Sequence, residues 1–347
     1  MSAEDHRDFT NENAAANVVE WFRNRSYHHE QFSDLAELGR LKRESGRSVS
    51  LVLPSRDVAD TIGGILDEIH GLNERSESAS GAPLADEVLV IDGDSSDGTF
   101  EEAARHGARV YSENDLMPGY GGTHGKGDAM WRSLSVATGD LVMFADADTR
   151  GFSPEFVYGT LGPLFAEPQV RYVKAAYRRP FKASASEEVE PDGGGRVTEL
   201  STKPLFNLFY PELTGFVQPL AGEFAADREL FLSIPFLTGY AVETGIMVDV
   251  LEKAGLGAMA QVDLGERQNR HQSLRDLSRM SYSVLRAVAR RLREDGRLQQ
   301  VREASVPDTL YQFSDYRHAV ATPGGLELLE YVEELVERPP MAEVQKV

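Results

Sequence analysis

The chain has 347 residues, 36 of them Lys or Arg against 56 Asp or Glu, a net charge of −20, and no cysteine. That length is enough for one large core or two modest ones. The acidic surplus argues against nonspecific binding to nucleic acid or an anionic membrane, because both need a basic surface. A small anionic substrate is still allowed, since charges act only within a Debye length of roughly 8–10 Å and a local basic cluster can outweigh a distant acidic surface. Without thiols there is no disulfide framework and no thiolate ligand or nucleophile. Any metal is therefore expected to be a hard cation, Mg²⁺ or Mn²⁺, held by carboxylate, imidazole, phosphate or water. No apolar run approaches the roughly 18 residues that span a bilayer. The opening MSAEDHRDFTNENAAANVVEW is acidic where a signal peptide would be basic and then apolar, so a cytoplasmic protein is expected.

In chain order, residues 12–45 read as helical and 1–46 as an N-terminal helical extension. SVSLVLPSRD (48–57) then reads as a buried strand, VADTIGGILDEIHGL as a helix, and DEVLVIDGDSSDGT (86–99) as a second strand ending in an Asp/Ser/Gly loop. A helix over 100–106, the strand ARVYS, a Gly-rich loop, the helix KGDAMWRSLSVATG and the strand DLVMFADAD follow. Strands alternating with helices imply right-handed crossovers, a mainly parallel sheet and ligands outside the carboxyl ends of its strands. VRYVKAAYRR (170–179) is a further strand, and 183–195 reads as a mobile polar loop. Helices are expected over 272–296 and 323–337. These divisions give an α/β protein with a nucleotide-binding region over 47–180 and a second lobe over 181–347.

Asp146 and Asp148 close the strand LVMFADAD, and side chains two apart on a strand share a face. Their repulsion would be relieved by a divalent cation, with a diphosphate completing its oxygen shell. An acidic turn capping the next helix near Ser153 and Pro154 is an equal alternative on these residues alone. In GYGGTHGKGDAM the glycines let backbone approach a ligand, and Lys126 at a helix start makes a phosphate-binding environment. In GGGRVTE, Arg196 offers a guanidinium fork for phosphate or carboxylate, Thr198 a hydroxyl and Gly195 an unobstructed N–H.

Three successive strands ending in polar or acidic residues, the last in Asp-x-Asp, resemble the nucleotide-sugar glycosyltransferases of the GT-A fold, a half-Rossmann sheet with an acceptor-binding C-terminal lobe. The ordered set GKGDAMWRS (125–133), YRRPF (177–181), GGGRVTEL (193–200), QPLAGEFAADREL (218–230), GYAVETG (239–245) and RPPM (338–341) is similar to the actinobacterial glucosyl-3-phosphoglycerate synthases and their mannosyl-3-phosphoglycerate relatives, retaining enzymes of glycosyltransferase family 81. The resemblance implies transfer of glucose or mannose from GDP-mannose, GDP-glucose or UDP-glucose to the 2-hydroxyl of D-3-phosphoglycerate. It implies Asp148 and His271 as metal ligands, with Pro54, Ser55, Asp92, Lys126, Asp146, Ala221, Gly222 and Tyr240 around the donor. Gly195, Arg196 and Thr198 would hold the acceptor phosphate, and Leu220 and Glu243, with Asp148, would act at the reacting centre. It also implies a homodimer whose product feeds a compatible solute or a methylglucose polysaccharide.

Three departures bear on the site. The glucosyl members carry HRN where this chain has NRH, which puts His271 two positions beyond their histidine. Their P-x-x-N-E-E is PSRDVAD here, and their DSGSTD is DGDSSD. These last two touch the nucleotide site. Two rival functions share the nucleotide half: a sugar-nucleotide pyrophosphorylase, whose Gly-rich signature should directly follow the first strand, and a non-catalytic nucleotide-sugar-binding protein.

Overall fold

The computed structural model describes residues 11–180, 194–267, 272–298, 315–322, 325–332 and 335–344. The segment expected to be helical near the N-terminus is two helices, α1 (Asn11–Arg25) and α2 (Leu35–Ser45), separated by the short strand β1 (Ser26–His28). The break falls at SYHHEQFSD, where Asp34 caps α2 by accepting the N–H groups of Ala36 and Glu37 at 3.0 and 3.2 Å. The chain continues through β2 (Val49–Ser55), α3 (Ile62–Ser80), β3 (Glu87–Asp92), α4 (Thr99–Arg105), β4 (Arg109–Ser112), α5 (Lys126–Ser133), β5 (Leu141–Phe144), α6 (Glu155–Ala166) and β6 (Tyr172–Arg178). After the stretch 181–193, which includes most of the expected mobile loop and lies outside the described residues, come α7 (Lys203–Phe209), β7 (Phe224–Asp227), α8 (Arg228–Leu232), β8 (Phe236–Leu237), α9 (Val242–Ala254), β9 (Met259–Glu266) and α10 (Leu274–Glu294).

Eight strands form one sheet in the order β1-β9-β6-β7-β5-β2-β3-β4. All neighbours are parallel except β7, which runs antiparallel between β5 and β6. Strands β7 and β9, from the second half of the chain, therefore complete the sheet begun by the first half. Alternation along β2 shows why its sequence is mostly apolar. Leu51 and Leu53 pack with α2, α3 and α6 on one face, while Val52 packs with α5, α9 and α10 on the other. A strand covered on both faces favours apolar residues on both, and its buried Ser50 is satisfied by donating to Glu87 Oε1 at 2.5 Å. No described helix is long and apolar enough to cross a membrane.

The expected helix over 323–337 is not formed. Gly325–Val332 is a strand, β11, paired antiparallel with β10 (Asp315–Thr322) in a register that sets Thr322 opposite Gly325. Pro323-Gly324 between them is a turn signal, and pairing with a neighbouring segment overrides a spacing of leucines that also fits a helix. Beyond it, β12 (Glu337–Arg338) pairs with β8, and α11 (Met341–Val344) ends the described chain.

The RPPM tail ties this end back to α5. Arg338 straddles the fully buried Asp128, with Nε to Oδ1 at 2.8 Å and Nη2 to Oδ2 at 2.7 Å, and donates to the carbonyls of Tyr120 and Gly122. The Pro339 carbonyl accepts from Trp131 Nε1 at 2.7 Å. The Gly-rich loop before Lys126 is thus held by a residue more than 200 positions away. Arg338→Ala should cost about 3 kcal/mol, because a buried carboxylate loses its bidentate partner. A denaturant midpoint unchanged from the parent would contradict this.

Candidate active site

The carboxyl ends of β2, β3, β4 and β5 open onto a cavity of about 600 Å³. Its wall brings together Pro54, Ser55, Lys126, Asp146, Asp148, Gly195, Arg196, Thr198, Leu220, Tyr240 and Glu243. Asp92 does not line it: that side chain is buried and accepts the Ser95 N–H at 3.1 Å within its own loop. Ala221 and Gly222 are buried and do not line it either. His271 lies outside the described residues.

The two aspartates just beyond β5 have different surroundings. Asp146 turns inward, with Oδ1 accepting from Lys126 Nζ at 2.5 Å and Oδ2 from Arg267 Nη2 at 2.8 Å. Burial opposes its charge, but these two cations win and hold its carboxyl far below the usual range. Asp148 faces the cavity with 56% of its side chain exposed, and Arg267 Nη2 is 3.7 Å away. Burial and then the neighbouring Asp146 charge push its pKa up, so it would gain from another cation. Neither aspartate caps α6, whose first turn receives no side-chain cap bond.

Arg267, which no sequence pattern marked, is the hub. It is buried at the end of β9, donates to Thr149 Oγ1 at 2.7 Å and Tyr177 OH at 2.8 Å, and pairs with the fully buried Glu223. The only sequence signal was its place at the start of the RQNRH segment. Lys174 was missed as well. It is wholly buried on β6, its Nζ lies 4.4 Å above the Phe224 ring with no hydrogen-bond partner among the described residues, and burial pulls its pKa down to about 7.

Lys126, read from sequence as a phosphate ligand, spends two of its three donors on protein: Asp146, and Glu243 at 2.8 Å. Glu243 sits in the first turn of α9, so that helix start and the start of α5 are pinned together by one ammonium. Gly222 allows the 218–223 loop to lie against Asp146. A Cβ there would stand 2.1 Å from Asp146 Oδ2. Gly195, also on the cavity wall, adopts φ +70, a left-handed conformation that favours glycine. Arg196 beside it donates to the Gln272 carbonyl at 3.0 Å, and Thr198 is buried.

As a test of metal fit, the described residues contain no group of three or more His, Asp or Glu side chains gathered to hold an ion. Among the described residues Asp148 alone presents an exposed carboxylate on the cavity. One or two protein oxygens, with the remainder from phosphate and water, is the usual provision for Mg²⁺ or Mn²⁺ at a nucleotide site.

A parallel sheet interrupted by one antiparallel strand, with an Asp-x-Asp turn and paired cations at its carboxyl edge, defines a GT-A glycosyltransferase. No protein-family model matches the chain, but individual proteins do. It is 40% identical over 317 residues to a glucosyl-3-phosphoglycerate synthase of Petrotoga mobilis, covering 91% of this chain and 93% of that one. The structure of a mannosyl-3-phosphoglycerate synthase from Rubrobacter xylanophilus matches with 68% identity and a TM-score of 0.85, covering 95% and 98% of the two chains. A Mycobacterium tuberculosis glucosyl-3-phosphoglycerate synthase solved with Mn²⁺, uridine diphosphate and phosphoglyceric acid matches with 34% identity and a TM-score of 0.74, covering 90% and 95%. The chain belongs to the glucosyl- and mannosyl-3-phosphoglycerate synthase family.

Proposed function

We propose that this enzyme moves a hexose, mannose in preference to glucose, from a nucleoside diphosphate sugar to the 2-hydroxyl of D-3-phosphoglycerate with retention of configuration. The observation that carries the reading is the single cavity that joins the Asp146–Lys126–Arg267 cluster to the Gly195–Thr198 wall. The preference for mannose rests on the 68% identity to a mannosyl enzyme. A pyrophosphorylase has no use for the acceptor wall, and a non-catalytic binder has no use for acceptor and donor features in one cavity.

In the mechanism we propose, Asp148 holds Mg²⁺ or Mn²⁺, with His271 as the expected second ligand; when bound, the ion supplies Lewis-acid neutralisation of the diphosphate. Asp146, already neutralised by Lys126 and Arg267, does not compete for the ion. It fixes the Lys126 ammonium so that its third N–H faces the leaving phosphate. Leu220, Ala221 and Gly222 place backbone beneath the sugar, and Glu243 and Tyr240 flank it. Pro54 and Ser55 border the nucleotide, while Asp92 shapes the loop behind it. Arg196, Gly195 and Thr198 take the phosphate of the acceptor. No described side chain stands out as a nucleophile, in keeping with a same-face displacement in which the departing phosphate accepts the acceptor's proton. Trapping a covalent glycosyl-enzyme would contradict that step.

A matrix of GDP-mannose, GDP-glucose and UDP-glucose against 3-phosphoglycerate and other phosphorylated acids, run with metal and with chelator, tests the reading. Release of nucleoside diphosphate that does not depend on phosphoglycerate would overturn it. Arg196→Ala should raise the acceptor KM about tenfold to a hundredfold, the loss of a charge-assisted contact to phosphate, with a smaller change in kcat. An unchanged acceptor KM would remove Arg196 from the site.

A homodimer is also proposed. Exposed Leu200, Leu208 and Leu274 lie on neighbouring elements, the turn before α7, α7 itself and α10. A monomeric mass by light scattering would exclude it. Because its substrates are phosphorylated metabolites, the enzyme is placed in the cytoplasm, which cell fractionation checks.

A further inference from the structure

Charged side chains run across the site in one line that alternates in sign. Glu243 meets Lys126 at 2.8 Å, Lys126 meets Asp146 at 2.5 Å, Asp146 meets Arg267 at 2.8 Å, and Arg267 meets Glu223 at 2.8 Å. Both ends are acids, so three carboxylates share two cations. Arg179 reaches the line through the Tyr177 hydroxyl, which keeps its proton, and not through a carboxylate. Lys174, which the mechanism above does not use, stands behind this line. It is wholly buried, pairs in register with Phe224 of β7 and Gln261 of β9, and rests its Nζ on the Phe224 ring with no hydrogen-bond partner among the described residues. Folding alone does not account for it, since an apolar side chain of the same size would be buried at lower cost. Burial is the largest influence on its pKa and lowers it; Glu243 of α9 then opposes that most strongly, Lys126 of α5 adds to it, and Glu223 ahead of β7 and Asp146 beyond β5 oppose it. The acids at both ends of the line therefore favour its ammonium. Tyr172, on the same face of β6, keeps its proton.

We propose that Lys174 is a positioning residue for the transfer, whose ammonium supplies the third positive charge and makes the line neutral, an inference that rests on reading the cavity as the transfer site. Without that charge Lys126 stands between two carboxylates in a line with one acid too many, and its field is cancelled within the protein. With it, the field of Lys126 reaches the departing phosphate. Lys174 does not line the cavity, so it acts through Lys126 and Glu243 and not by touching a substrate. Its effect therefore belongs to kcat.

Steady-state kinetics of charge-balanced variants test this. Lys174→Met keeps the contact with Phe224 and removes the charge; kcat should fall about tenfold or more, with the KM for donor and for 3-phosphoglycerate changed by less than about threefold. Adding Glu223→Gln removes the surplus acid, leaves two carboxylates with two cations, and should restore most of the lost kcat. Loss of packing alone gives no such rescue. An unchanged kcat in Lys174→Met, or a double variant no faster than the single one, overturns the role of Lys174 and leaves the reading of the cavity standing. Should Lys174→Met not fold, the pH dependence of kcat decides. The unmodified protein should slow as pH rises above about 7 and the amine loses its proton, and Glu223→Gln alone should flatten that fall. The same fall in both proteins overturns the proposal. Absence of phosphoglycerate-dependent transfer by the unmodified protein overturns the reading of the cavity and the role of Lys174 together.

Discussion

Asp148→Ala is expected to lower kcat by about a thousandfold or more, the scale of losing the charge that stabilises a leaving group. Its thermal unfolding should hardly move. The side chain is more than half exposed, and its nearest described cation is 3.7 Å away, so little folding free energy rests on it. The mutant should also lose Mn²⁺ binding in the presence of nucleoside diphosphate, measured by calorimetry or electron paramagnetic resonance. Activity within tenfold of the parent, at saturating metal, would show that the acid facing the cavity is not the one that holds the ion.

Arg267→Met should have the opposite signature, a large loss of stability together with loss of activity. The arginine is buried and serves Asp146, Glu223, Tyr177 and Thr149 at once. Removing one partner of a buried ion pair leaves an uncompensated charge, which costs about 3–5 kcal/mol. Burial already raises the pKa of Glu223, so that acid is the one most exposed to the loss. Adding Glu223→Gln to Arg267→Met should therefore recover part of the stability, since the stranded carboxylate is gone, but not the activity, because Asp146 remains short of one cation. Denaturant unfolding of the single and double mutants measures both effects. A single mutant within about 0.5 kcal/mol of the parent, the range of an ordinary surface change, would show that the network carries no such weight.

The repulsion that Asp-x-Asp poses has an answer of two kinds. From sequence the pair called for a dication between two like acids. In the structure the protein supplies its own cations to Asp146, from α5 and from the end of β9, and leaves only Asp148 in need of one. Lys126 was legible as a site residue because it opens a helix after glycines. Its partner Glu243 is 117 positions further on and was reached only through resemblance. Arg267 bonds Asp146 across 121 positions, and its place beside the NRH segment is too weak a mark to set it apart from the other arginines.

The sequence by itself determined the run of strands and helices from β2 to β6, because apolar periodicity and turn residues are local properties that each element carries within its own span. It also determined the family, through motifs whose order along the chain was preserved. Tertiary structure decided which strands became neighbours: β7 inserted antiparallel between β5 and β6, β1 added to the edge beside β9, and Gly325–Val332 drawn into a hairpin instead of a helix. It also decided which cations each aspartate of the pair meets. Pairing and electrostatics depend on which distant residues arrive at a point in space, and side chains more than a hundred positions apart leave no spacing in the sequence to be read.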